Sequence, residues 1–174
     1  GRFRVDLTGD GPLHIDAAYL PRANILRTEL RRGRDALCVE DFCPIGADGS
    51  RPPAWVRRVS PLAGTPTVAL DLDSRPDYGR ASTATDLIIR SDAPGEGPFV
   101  LTAPVTVTLA WATAVELDEV DGLRATTVNA WHAFTDRLPA GLPDWAIRSA
   151  LALALHVYDE TGATLVPTTT GALG

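Results

Sequence analysis

TVTLAWATAVELDEVDGLRATTVNAWHAFTDRL, residues 106–138, holds two periodicities in succession. In its first third Val107, Leu109 and Trp111 fall on alternate positions, the period that places side chains on one face of a strand. In its last part Val128, Trp131, Phe134 and Leu138 step by three, three and four, the stripe of an amphipathic helix. The fold class turns on this switch near residue 115. Everything before it has to be strand and turn, and everything after it helix.

The upstream sequence fits. Phe3, Val5 and Leu7 alternate with Arg4 and Asp6, and Gly9-Asp10-Gly11-Pro12 breaks the run. Strands follow over 13–19, 24–31 and 36–42, the last two joined by a tight turn at Arg32-Gly33-Arg34-Asp35. Further strands are expected over 55–59, 68–72, 86–90, 98–102 and 106–113. About eight to ten short strands with Gly, Pro and Asp between them and no helix among them describe an antiparallel β-sandwich. Downstream, Pro139-Ala140-Gly141 ends the first helix. Pro143 and Asp144 open a second, expected to run to about 159 and to close at Thr161-Gly162. The reading is therefore mainly β: a sandwich over 1–114, a linker with a helix over 115–141, and the opening of a helical domain over 142–174.

The second helix is apolar on nearly every side from Ala150 to Val157, and such a helix needs neighbours on several faces. The chain contains no methionine and opens inside a strand pattern. Both features suggest a piece of a longer polypeptide. The apolar run is far shorter than the roughly 20 residues that span a bilayer, so no membrane partner is expected.

A net charge of −6 argues against the basic face that nucleic acid demands. All the basic residues are arginine, and the densest group, Arg31, Arg32 and Arg34, reads as a solvated turn. Cys38 and Cys43 stand on one predicted strand, on opposite faces and too far apart for a disulfide. They read as buried free thiols, which suits a reducing, cytoplasmic setting.

Several motifs resemble glycoside hydrolase family 15, whose bacterial members include glucoamylases and trehalases. They are Asn24-Ile25-Leu26-Arg27-Thr28-Glu29-Leu30, Val39-Glu40-Asp41-Phe42-Cys43-Pro44, Val56-Arg57-Arg58-Val59-Ser60-Pro61-Leu62-Ala63-Gly64 and Arg75-Pro76-Asp77-Tyr78-Gly79-Arg80. Arg148-Ser149-Ala150-Leu151-Ala152-Leu153 and Thr161-Gly162-Ala163-Thr164-Leu165-Val166-Pro167-Thr168-Thr169 continue the series in the family's order. The resemblance implies an N-terminal sandwich, a helical linker and then an (α/α) barrel. It also implies inverting hydrolysis of α-linked glucosides with release of glucose. Inversion needs two carboxyls roughly 6.5–9.5 Å apart, one protonated as acid and one ionised as base. In the family both are barrel glutamates downstream of every residue here, so no catalytic residue is assigned and the chain alone is expected to be inactive. Thr168 and Thr169 alone are placed at the substrate cleft. No cofactor or metal is expected, and a homo-oligomer is one way to cover the second helix.

Other residues invite site readings and read better as scaffold. Glu116, Asp118, Glu119 and Asp121 lack the spacing of a calcium loop and suit a solvated linker. His14, His132 and His156 have no partner at metal spacing. Trp111, Trp131 and Trp145 are assigned to the core by their faces, and Trp55 to packing beside the Pro52-Pro53 loop. The alternative function is a stand-alone carbohydrate-binding or scaffolding sandwich.

Overall fold

A computed structural model describes residues 2–73, 87–95, 97–111 and 113–157. Among these residues nine strands precede two α-helices: β1 (Arg2–Leu7), β2 (His14–Tyr19), β3 (Leu26–Arg32), β4 (Asp35–Phe42), β5 (Ala54–Ala63), β6 (Thr67–Asp73), β7 (Leu87–Ser91), β8 (Phe99–Val100), β9 (Val105–Trp111), α1 (Val120–Asp136) and α2 (Asp144–Ala154). The strands form two antiparallel sheets, a six-stranded one in the order β2-β3-β4-β5-β9-β7 and a three-stranded one in the order β1-β6-β8. The protein is mainly β, and the switch from strand to helix falls between Trp111 and Val120.

The expected tight turn joins β3 to β4, with Arg32 opposite Asp35. Gly33 has φ +59°, the left-handed value a two-residue hairpin turn requires at its first central position. β5 continues to Ala63, well past the end expected at Val59. Its pairing slips near that end, where Ala36 and Leu37 of β4 face Ala63 and Pro61. The slip is a bulge, and a bulge is where a sheet interior tolerates proline.

Alternation along the central strands divides two cores. Leu37 and Val39 of β4 and Val59 of β5 meet Leu7, Val68 and Leu101 from the smaller sheet's side. Phe42 and Val56, of opposite parity on the same strands, meet Val120, Trp131 and Leu151 from the helices. The molecule thus has three layers: small sheet, large sheet, helices. β9 sits in the middle layer with Val105 to Ala110 all buried, so apolar and threonine side chains serve both faces. Its Thr108 hydroxyl donates to Val115 O at 3.1 Å.

Threonines in α1 have a packing reason. Ile45 N–H donates to Thr127 Oγ1 at 2.8 Å, and the Thr126 hydroxyl donates to Ile45 O at 2.6 Å. The loop after β4 therefore finds its backbone partners on the helix, as buried peptide groups must. Two ion pairs fasten the same helix to the sheet, Arg124 to Glu40 and Asp121 to Arg58.

Three expectations need correction. β3 begins at Leu26, because Asn24 and Ile25 belong to a buried turn. α2 ends at Ala154, short of the expected end near 159, and Thr161-Gly162 lies outside the described residues. Cys43 lies beyond the end of β4 and is exposed, whereas Cys38 is buried.

Candidate functional site

Thr168 and Thr169, assigned to a cleft, and the Arg75–Arg80 motif lie outside the described residues. The acidic run leading from β9 into α1 is solvated: Glu116, Asp118, Glu119 and Asp121 are all exposed. Glu116 receives Arg90 at 3.5 Å, and Asp121 pairs with Arg58. Among the described residues no group of three or more His, Cys, Asp or Glu could hold a metal ion. No helix among them is long and apolar enough to cross a membrane.

Two of the four tryptophans depart from the core assignment. Trp131 is buried, but Trp111 is 50% exposed and Trp145 is 73% exposed. Trp111 is the last residue of β9, opposite Leu87 of the edge strand β7. Trp145 lies in the first turn of α2. Trp55 packs as assigned: Phe3 meets it edge-on at 5.4 Å, and the Arg57 guanidinium lies 4.6 Å from its ring centre. Arg57 is itself locked to Asp41 by two bonds, Nε to Oδ1 at 2.7 Å and Nη2 to Oδ2 at 2.9 Å. That pair floors an open groove of ≈230 Å³ between β1 and the inner face of β2 and β3, where Ile15 stands exposed.

A second concavity, with more polar groups on its walls, lies where the β2–β3 turn meets the helices. The turn is tight: Leu20 N–H donates to Ile25 O at 2.9 Å and Ala23 N–H to Leu20 O at 3.1 Å. Arg22 takes φ +57°, the one left-handed non-glycine among the described residues. That conformation costs about 1–2 kcal/mol for such a side chain. It is held by the side chain itself, whose Nε donates to Thr135 Oγ1 at 3.0 Å and whose Nη2 meets Asp136, both near the end of α1. Buried Asn24 then reaches α2, donating from Nδ2 to Leu151 O at 2.8 Å. Arg148 answers from α2, donating to Ala23 O at 2.9 Å and to Asn24 Oδ1. One turn of chain thereby fixes both helices.

Between that turn and α2 is a cavity of ≈290 Å³. Leu20, Pro21, Ile147 and Leu151 supply its apolar walls, and Tyr19, Arg22, Asp144 and Arg148 its polar ones. The Arg148 guanidinium lies 4.0 Å from the Tyr19 ring centre. Burial lowers its pKa, and the tyrosine opposes that shift. Sequence reasoning did not find this site. Its walls come from positions more than a hundred residues apart, and the one available signal was that Asn24 and Arg148 both fall within family-like motifs.

No family model, curated protein or solved structure matches the chain. What the arrangement can do is hold helices against a sheet and offer small concave surfaces.

Proposed function

We propose that this chain is the non-catalytic N-terminal region, with the opening of the catalytic domain, of an inverting glycoside hydrolase that releases glucose from α-glucosides. Glucoamylase, glucodextranase and trehalase are the activities in view. The reading rests on the ordered motifs that resemble glycoside hydrolase family 15, and one structural observation supports it. α2 buries Leu151 against the sheet yet leaves Trp145 and Leu153 at the surface, and Leu155 and Val157, just past its end, are exposed too. A helix apolar on both flanks suits the innermost position of a helical domain, with the sheet on one side and further helices on the other. The sandwich would then brace the barrel through α1 and α2. Two unpaired cysteines suit the cytoplasm.

The second reading is a stand-alone sandwich that binds carbohydrate or scaffolds other proteins, and the cavity beside Tyr19 favours it. One assay separates the two. Glucose release is measured from α,α-trehalose, maltooligosaccharides and isomaltooligosaccharides, with this chain and with a version extended through a complete helical barrel. Release by the extended protein alone supports the proposal, and the preferred sugar names the activity. Release by the 174-residue chain itself, or by neither protein, overturns it.

A further inference from the structure

The cavity between the β2–β3 turn and α2 carries a feature that scaffolding leaves unexplained. Asp144 and Arg148 stand four residues apart on α2, acid first, the arrangement that ordinarily closes into an ion pair. Here it is open. Arg148 is drawn to the neutral acceptors Ala23 O and Asn24 Oδ1, and no carboxylate among the described residues pairs with it. Asp144 is exposed on the rim, and among the described residues its carboxylate has no hydrogen bond, nor has the Tyr19 hydroxyl of the same cavity. The floor is apolar, and a strained turn held from both helices shapes the wall. An apolar pocket with a few convergent, unspent polar groups is the usual form of a small-ligand site.

Charge decides what fits. An anion would need a free guanidinium fork, but Arg22 is committed to Thr135 and Asp136 and Arg148 to the turn, while Asp144 repels it. A cation would meet two arginines. A neutral molecule with several hydroxyls meets neither objection. It can donate to Asp144, exchange a hydrogen bond with the Tyr19 hydroxyl and rest its C–H face on Pro21 and Ile147. We infer that this cavity binds one neutral polyhydroxylated ring, a monosaccharide or the terminal unit of an oligosaccharide. The site is independent of the proposed hydrolase, since every wall belongs to this chain, and binding is read directly rather than through turnover.

Saturation-transfer NMR with glucose, maltose and α,α-trehalose tests it on the full chain. A saturable signal is expected, with amide shifts at Ile147, Arg148 and Leu151 in the protein spectrum. Asp144→Asn and Tyr19→Phe, both at solvent-facing positions, should each weaken binding about tenfold, the loss of one good hydrogen bond. Unchanged circular dichroism would show that the fold survives. No saturable signal below roughly 50 mM sugar, equal binding by the variants, or shifts that map elsewhere would overturn the inference. Displacement of the sugar by inorganic phosphate at equal concentration would also overturn it, since the cavity would then be an anion site. The amide map on the unaltered protein decides the matter even if a variant fails to fold.

Discussion

Arg124 on α1 grips Glu40 on β4 through two parallel bonds, Nε to Oε2 at 2.6 Å and Nη2 to Oε1 at 2.7 Å, across the seam between helix layer and sheet. The Glu40 side chain is largely buried there, and the hydrogen bonds to it raise the Arg124 pKa. Charge-assisted bonds of this geometry contribute about 1.5–3 kcal/mol. Glu40→Gln should lower unfolding free energy by about that much, with an unchanged denaturant slope. Arg124→Met added to Glu40→Gln should cost less than the sum of the two single changes. Strict additivity would mean the contact contributes nothing.

α2 offers an internal control. Leu151 is 1% exposed against the sheet and Leu153, on the same helix, is 60% exposed. Leu151→Ala should cost about 2–5 kcal/mol, whereas Leu153→Ala should stay within about 0.5 kcal/mol. Leu153→Ser should also reduce any self-association seen by sedimentation, since it breaks the exposed apolar face. Equal costs at the two positions would contradict the docking direction of the helix.

The cysteines should separate under native thiol titration. Cys43 is exposed and Cys38 is buried. Burial pushes the Cys38 thiol above its ordinary range, with Arg27 opposing. Protein atoms around Cys43 raise its thiol too, so its reaction should quicken toward alkaline pH. One equivalent should react in buffer and the second only in denaturant. Two equivalents in buffer would place Cys38 at the surface.

Glu29 lies between two arginines on β3, with Arg31 Nη2 2.6 Å and Arg27 Nη2 2.9 Å from its oxygens. Their hydrogen bonds, Arg31's first, hold its pKa below the usual glutamate value. A carboxyl depressed on folding stabilises the folded state above its unfolded pKa, and that contribution disappears as pH falls through the folded one. A carbon-detected NMR titration should place Glu29 below ordinary glutamate, and Arg31→Gln should move it upward. An unmoved titration would mean that the pair is not formed in solution.

The layout of strands was legible because each strand's alternation is local. Val107 and Leu109 announced a face, and Gly33 announced a turn. What alternation cannot supply is how far the opposing layer extends. Trp111 carries the right parity and is still half in water at the end of β9. Trp145 likewise fits an inward stripe, yet in the first turn of α2 it is exposed. The cavity was illegible for a different reason. Tyr19, Asp144 and Arg148 meet only after the β2–β3 turn has lodged between α1 and α2, and no spacing along the chain encodes that encounter.

β9 is walled on both faces, by the small sheet on one and by the helices on the other. The six-stranded sheet is therefore a partition shared by two rooms, and neither room stands without it. A chain cut at residue 114 would turn Phe42, Val56 and Ala110 outward to water. Melting should consequently proceed as one transition, with helix and strand signals lost together.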